Sequence, residues 1–396
     1  MPLTPTLTLT PAAPQQYRPN LTPNPSPLRP HCLARERLRL WLPSNPRPRS
    51  TSANPAQNLA ITDAQLDRIL EVIGASWATS TKETYGAGLL VFHVYCDFHN
   101  IPDTARCPIE PNLLLAFLSS CAGSYSGTAL ANYASGLRAW HLLHGHQWKV
   151  KPDELKAMLE GATRLAPPSS KRAKRAPITP TIIIILRNQL DMNDPRDAAI
   201  FACITTVFYC VARLGEFTVS ALKSFDPTKH VTRAHMSCVS DRNGLAVTKF
   251  HIPSTKSAPV LGEDTQFATQ EGPSDPTAAL ANHFRVNPAD ASAHLFTWSH
   301  PKGPRPLTKK EVTKRLADLA STHPDLPDLK GHSLRIGGTL EYLLRGVPFD
   351  VVKSMGRWSS EAFTLYLRHH AQILAPYLQS SPVFDTFTRH TMPPVR

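Results

Sequence analysis

Four side chains near the C-terminal end of the sequence have the types and spacing of a site that handles phosphate. His332 and Arg335 are three positions apart, so both lie on one face if this segment is helical. Trp358 and Tyr366 follow on a second segment with helical spacing. A histidine, an arginine, an indole N–H and a phenol suggest a site that binds a phosphate group and attacks it with the tyrosine. Such a site needs additional cations from elsewhere in the chain.

Two candidate cations come earlier in the sequence. Arg213 follows an apolar stretch, residues 198–212, that predicts a buried central helix. We expect Arg213 at the C-terminal end of this helix, where the helix dipole stabilises a cation that can point into a cleft. Lys256 lies next to a predicted turn at Pro253–Thr255. Arg213 and Lys256 could therefore supply the missing positive charge.

The overall composition favours a nucleic-acid partner. Lysine and arginine number 43 against 30 acidic residues, a net charge of +13, which favours nucleic acid first and a membrane surface second. The most apolar stretch, 198–212, is too short for a membrane span, which needs about 20 residues, and the N-terminus lacks a secretory signal pattern. Seven scattered cysteines form no C-x-x-C pair and no zinc pattern, so we expect a reducing compartment.

The N-terminal part of the sequence predicts an arm followed by a helical domain. Residues 1–58 are rich in proline and arginine and predict a disordered basic arm, which is a solvated tail, a phosphate contact or a nuclear import signal. Helical spacing over 59–165, with a capping-box pattern at its first helix, predicts a helical bundle. Lys82 and Arg138 lie on the polar faces of these helices, either solvated or in contact with DNA phosphates.

A basic linker and a second domain follow. Residues 166–180 predict an extended linker that follows a phosphate backbone, forms a nuclear localisation patch or is merely solvated. Residues 181–378 predict a mixed α/β domain with a small sheet of two or three strands over 236–261, and 379–396 remain as a tail. The fold class is therefore mainly α with a small β-sheet. The candidate DNA-binding cations of the linker are Lys171, Arg172, Lys174 and Arg175.

Four short motifs occur in order along the C-terminal half of the chain. They are ARLGE at 212–216, STKS at 254–257, HSLRIGG at 332–338 and GRWSSEAFTLYLR at 356–368. Together they resemble the catalytic domain of tyrosine recombinases, the integrase-like enzymes that break and rejoin DNA. The last motif, with tryptophan where many bacterial members have histidine, is most similar to recombinases of eukaryotic mobile elements of the DIRS or Crypton kind. The helical domain resembles the family's core-binding, SAM-like domain, and the resemblance covers about 61–378.

The resemblance implies a role for each cation and for the tyrosine. Arg213 and Arg335 would bind the scissile phosphate, because planar guanidinium groups match its oxygens; alternatively, either arginine forms only a structural ion pair. Tyr366 would be the nucleophile and become joined to the 3′ end of the cleaved strand. Lys256, with Lys249 as the alternative, would give a proton to the leaving 5′ oxygen.

The remaining site residues would assist this chemistry. His332 would help proton transfer or bind a phosphate oxygen, and Glu216 would orient its neighbours. Trp358 would donate its indole N–H to the phosphate and pack the site. Because one phosphodiester is exchanged for another, the resemblance implies neither a metal nor a nucleotide cofactor.

The predicted function is that of a site-specific DNA recombinase derived from a mobile element. It would act on double-stranded DNA in the nucleus as a homo-oligomer, a dimer or tetramer, with no membrane partner. The short, proline-containing tail leaves the contacts between protomers open. Two alternatives stand beside this prediction: a DNA-binding remnant without catalytic activity, and a relaxing activity like that of type IB topoisomerases.

Overall fold

The chain divides into two units, residues 1–173 and 174–396. The boundary lies inside the predicted linker, 166–180. Among the described residues, no helix combines the length and the apolar character that crossing a membrane requires. The computed structural model describes residues 16–45, 62–171, 175–323, 326–327, 329–360, 363–364 and 370–375.

The N-terminal unit is built from helices. The capping box predicted at the first long helix is confirmed, because Thr62 Oγ1 accepts from the backbone N–H of Gln65 at 3.3 Å and Gln65 Oε1 accepts from that of Thr62 at 2.9 Å. Leu89, Phe92 and Trp140 are among the side chains buried in the core. The helices are α1 (Arg37–Leu40), α2 (Asp63–Ala75), α3 (Thr79–Phe98), α4 (Asp103–Arg106), α5 (Pro111–Cys121), α6 (Gly127–Leu143) and α7 (Pro152–Arg164).

Part of the predicted disordered arm is folded against these helices. Trp41 is fully buried in the helical core, and its carbonyl oxygen accepts from the indole N–H of Trp140 at 2.7 Å. The prediction of disorder is therefore wrong for residues 16–45, because the burial of large apolar side chains outweighs the preference of proline-rich chain for solvated, extended backbone. The remainder of 1–58 lies outside the described residues.

Two arginines of this segment bind partners within the N-terminal unit. Arg37 donates to the carbonyl oxygen of Gly86 at 3.0 Å. Arg29 is buried and forms ion pairs with Asp103 and, at 3.7 Å, with Asp97. These two cations therefore stabilise the fold. One interpretation of the arm was that its arginines contact phosphate at the surface, and Arg29 and Arg37 do not fit it.

The C-terminal unit is mainly helical with one small sheet, which confirms the predicted fold class. Three strands, β1 (Met236–Ser240), β2 (Ala246–Ile252) and β3 (Glu263–Phe267), form an antiparallel sheet in the order β1-β2-β3. The third strand begins just beyond the predicted stretch 236–261. The helices are α8 (Pro180–Gln189), α9 (Pro195–Tyr209), α10 (Pro276–Val286), α11 (Lys309–Thr322), α12 (Gly331–Leu344), α13 (Phe349–Met355) and α14 (His370–Leu374).

Two features of this unit that depend on local sequence form as predicted. Every residue of α9 from Asp197 to Tyr209 is buried, as expected for a segment that is apolar on all sides. The turn between β1 and β2 is closed by Asp241, whose Oδ1 accepts from the backbone N–H groups of Asn243 and Leu245 at 2.8 Å. The first feature places a rigid helix at the centre of the unit.

Helix α12 packs directly against the backbone at the start of the unit. A Cβ atom placed on Gly337 would lie 1.7 Å from the carbonyl oxygen of Ile178. A residue with a side chain cannot occupy this position without moving the helix. The contact fixes the position of α12, which carries His332 and Arg335.

Candidate active site

A cavity of about 810 Å³ in the C-terminal unit brings basic side chains together from distant parts of the sequence. Its described lining includes one carboxylate, that of Glu216, and the ring of His332. A concave site with this excess of positive charge attracts an anion such as a phosphate group. Among the described residues, no group of three or more His, Cys, Asp or Glu side chains is arranged to hold a metal ion. The basic lining residues are Arg175, Arg213, Lys229, Lys256, Lys309 and Lys330.

Arg213 lies beyond the buried helix and not at its end. Helix α9 ends at Tyr209, and Arg213 precedes a single 3-10 turn, Leu214–Glu216. The expected stabilisation by the helix dipole is therefore wrong, because that effect is confined to the last turn. Glu216 holds Arg213 instead: its Oε1 accepts from Nη1 at 2.8 Å, and its Oε2 accepts from the backbone N–H at 2.9 Å. Arg213 thus forms the ion pair and also lines the cavity.

The same carboxylate binds a second arginine, which the sequence analysis missed. Nη2 of Arg357 is 2.6 Å from Oε2 of Glu216, and the two side chains are 8% and 7% exposed. Burial by itself raises the pKa of the Glu216 carboxyl, but Arg357 and Arg213 hold this pKa below its usual value. The available signal was a basic residue directly before Trp358, yet nothing in the local sequence connects it with Glu216.

His332 lines the cavity as a neutral side chain. Burial, followed by the nearby charges of Arg175, Arg335, Arg213 and Lys309, lowers the pKa of its imidazole to about 4. Near neutral pH the ring therefore adds no positive charge. The neutral ring can form a hydrogen bond with a bound phosphate, and the part of His332 in proton transfer stays a prediction.

Arg335 is covered by the segment that follows α13. Its side chain is fully buried, and Nη2 donates to the carbonyl oxygen of Gly356. Its guanidinium carbon lies 4.0 Å from the centroid of the Trp358 ring, a cation–π contact with the ring face. Arg335 is not among the described residues that line the cavity. His332 and Arg335 lie on one helix, and of the two only His332 is among the described residues that line the cavity.

Trp358 and Tyr366 were predicted to complete the site. The Trp358 ring contacts Arg335, and its centroid lies 5.9 Å from that of Phe363. These contacts show Trp358 as a packing residue, and donation of its N–H to a phosphate stays a prediction. Tyr366 lies outside the described residues, so its role as the nucleophile also stays a prediction.

The geometry distinguishes the two candidate lysines. Lys256 lines the cavity, on the loop that joins β2 to β3. Lys249 lies on β2, and its Nζ is 2.7 Å from Oδ2 of Asp264 in an exposed ion pair. Lys249 is absent from the described lining of the cavity. Lys256 is therefore the better placed of the two to reach a phosphate bound there.

The predicted DNA-contacting cations occur in both units. In the N-terminal unit, Arg138 is exposed on α6 and Lys82 is half-buried on α3. In the linker, Lys171 is exposed, whereas Arg175 lines the cavity. Arg175 is therefore one of the basic residues that attract a phosphate into the cavity. Two further linker cations lie outside the described residues: Arg172 and Lys174.

Comparisons with known proteins identify the fold. No protein-family profile and no curated protein matches the chain. The chain is similar to the XerH site-specific recombinase in a crystal structure of its post-cleavage complex with a palindromic difH substrate. The TM-score is 0.51 at 13% identity, and the match covers 87% of this chain and 92% of that one. A second similar structure is the Tn1549 transposon integrase in complex with transposon right end DNA. Its TM-score is 0.45 at 11% identity, and the match covers 76% of this chain and 95% of that one. The fold matches that of tyrosine-recombinase catalytic domains.

Proposed function

We propose that this chain is a site-specific DNA recombinase of the tyrosine class. One observation carries the proposal: Arg213, Lys256 and His332 are far apart in the sequence but line one cation-rich cavity. These are three of the six residues that the motif order assigns to strand cleavage. The cavity lies in a unit whose fold is that of recombinase catalytic domains, so both site and scaffold support the same chemistry.

The proposed reaction exchanges one phosphodiester for another. The phenolic oxygen of Tyr366 attacks the scissile phosphorus, a P–O bond to tyrosine forms, and the P–O bond to the 5′ oxygen breaks. A phosphate anion bound in the cavity raises the pKa of the neighbouring His332 ring, which then accepts the phenolic proton. Lys256 gives a proton to the departing 5′ oxygen. Arg213, fixed by Glu216, stabilises the charge on the phosphate oxygens in the transition state. Attack by a 5′ hydroxyl then reverses the steps and rejoins the strand.

Arg335 can bind the phosphate only if the residues that cover its side chain move. Its guanidinium is buried against Trp358 and Gly356, and contact with a phosphate requires that one edge be uncovered. We infer that DNA entering the cavity displaces this cover, since an anion competes for the same cation. The proposal thus gives Trp358 a role in holding Arg335 until substrate is bound.

The buried Arg335 also favours a second candidate function, DNA binding without cleavage. If the cover never moves, the cavity keeps its positive charge but lacks one of the two arginines that the chemistry needs. Such a protein would bind duplex DNA with strong salt dependence and form no covalent product. A relaxing activity like that of type IB topoisomerases would instead appear as plasmid relaxation without a specific site.

Strand cleavage is tested with nicked suicide duplexes that carry the ends of the flanking genomic element. The wild-type protein should form a covalent protein–DNA product that survives a denaturing gel. Tyr366→Phe should abolish the product, and the control Tyr125→Phe, at an exposed tyrosine of the N-terminal unit, should retain it. Salt-sensitive binding without any product would support the second candidate and reject the first.

The biological setting belongs to the proposal as well. A net charge of +13 supports double-stranded DNA as the partner. Recombination joins two duplexes, which calls for a homo-oligomer, a dimer or tetramer, on the DNA. We propose a nuclear location and a mobile-element origin, which rest on the basic linker and on the motif resemblance. Terminal or split repeats flanking the gene would support that origin, and their absence would count against it.

A further inference from the structure

Two large apolar side chains are displayed to solvent on the loop that carries Lys256 of the cation-rich cavity. Val260 is 86% exposed and Leu261 is 83% exposed. Both lie on the loop that joins β2 to β3, residues 253–262, and Lys256 on the same loop lines the cavity. Two adjacent apolar side chains at this exposure leave apolar area in water, and a partner that buries this area gains binding free energy.

The loop is held in one conformation by its own hydrogen bonds. Thr255 Oγ1 and Ser257 Oγ both donate to Oε2 of Glu263, the second at 2.9 Å. At the other end, Gly262 adopts a φ of +68°, and a Cβ atom there would lie 2.2 Å from the carbonyl oxygen of Ile252. The apolar pair is therefore presented by an ordered turn, in a position fixed relative to the cavity.

The charge of the neighbouring surface identifies the partner as a polyanion. Six basic side chains line the cavity next to the loop, with Glu216 as the carboxylate of the described lining. Leu261 is five residues from Lys256, so its Cα lies within about 18 Å of that lysine's Cα. At a rise of about 3.4 Å per nucleotide, this reach covers about five nucleotides of a strand. The apolar pair therefore lies close enough to the cavity to contact the same duplex that places a phosphate there.

We propose that Val260 and Leu261 form an apolar contact in a groove of duplex DNA, against sugars and base edges close to the phosphate held in the cavity. Leucine and similar side chains serve as apolar wedges at DNA base steps in other proteins. The contact adds affinity that does not depend on charge, and it orients the strand relative to Lys256. This inference rests on the proposed function for the identity of the polyanion.

The test compares the affinity of full-length variants for mixed-sequence duplex DNA over a series of salt concentrations. Val260→Ser with Leu261→Ser should weaken binding at least about tenfold, because two buried apolar contacts are lost. The slope of log affinity against log salt should be unchanged, since no phosphate contact is removed. A fluorescent base analogue near the contact should respond to the wild type and not to the double variant.

Two controls separate this contact from a folding defect. Leu245→Ser changes a leucine that is 69% exposed at the opposite end of β2, and it should bind DNA like the wild type. Val260→Leu with Leu261→Met keeps the surface apolar and should retain affinity. Unchanged binding by the double serine variant would overturn the proposal.

Two further outcomes have defined meanings. If light scattering shows that wild-type protein self-associates without DNA and the double serine variant does not, the loop is a contact between copies and the DNA proposal is wrong. If the wild type binds no duplex DNA at all, the proposed function fails together with this inference. If the variant loses affinity while a covalent product still forms at saturating DNA, the inference stands and the chemistry is independent of it.

Discussion

At the residue scale, the Glu216 carboxylate connects two arginines that are far apart in the sequence. It accepts from the side chain and the backbone of Arg213 and from the side chain of Arg357. The first of these arginines lines the cavity, and the second is buried beside Trp358. Glu216 therefore links the position of a phosphate-binding cation to the segment that leads towards Tyr366.

Replacing Arg357 tests this link. Arg357→Ala should lower the free energy of unfolding by about 1–3 kcal/mol, because a buried carboxylate loses a charged partner. The single-turnover rate of covalent product formation should fall more than DNA affinity, since Arg213 remains but is less well fixed; Arg357→Lys should restore part of the rate. The control Lys249→Ala removes an exposed ion pair and should cost no more than about 1 kcal/mol. Equal rates for Arg357→Ala and wild type would contradict a positioning role.

The neutral state of His332 has a consequence for stability at acid pH. An unfolded histidine has a pKa of about 6.5, whereas His332 in the folded chain has a pKa of about 4. Between these values the unfolded state binds more protons, so the free energy of unfolding falls as the pH drops. His332→Asn should reduce the difference in Tm between about pH 7 and about pH 5.

Other histidines of the unit act in the same direction, which sets the size of that effect. Burial lowers the pKa of His283 to about 4 and that of His294 to about 3. His332→Asn should therefore diminish the acid-induced loss of stability without abolishing it. An identical pH dependence for variant and wild type would show that His332 titrates normally in the folded protein.

At the element scale, helix α12 owes its position to a close backbone approach. Gly337→Ala should lower the free energy of unfolding by at least about 2 kcal/mol, because the new methyl group collides with a backbone carbonyl that cannot rotate away. The control Gly161→Ala, on α7, meets no atom within 4 Å and should stabilise its helix by about 0.5–1 kcal/mol. Thermal unfolding by circular dichroism measures both, and a neutral Gly337→Ala would mean that α12 can shift freely.

The elements that the sequence could predict are those whose stabilising contacts are local. The capping box at Thr62, the buried α9 and the turn at Asp241 depend on residues within a few positions of one another, and all three form as predicted. The ion pair between Arg357 and Glu216 spans 141 positions. Periodicity and spacing carry no information about such a contact, because it is created by how the elements pack.

At the scale of the whole molecule, the prediction of a disordered arm failed because its side chains pack against residues that are distant in the sequence. Proline and arginine content predicted a solvated arm, but Trp41 is buried and bonded to Trp140, 99 positions away. The net charge favours an anionic partner, yet it could not separate the cations that line the cavity from those, such as Arg37, that are used inside the fold. Motif order supplied that distinction for Arg213 and Lys256, and it also placed the neutral His332 in the cavity.

The most direct measurement of the central claim is to locate the covalent bond to DNA. Wild-type protein is reacted with a nicked suicide duplex and digested with trypsin and a nuclease, and the peptide that retains a nucleotide is sequenced by mass spectrometry. The proposed function predicts a single modified peptide, Trp358–Arg368, with the nucleotide on Tyr366. A modified peptide from any other part of the chain, or an adduct that persists in Tyr366→Phe, would contradict it.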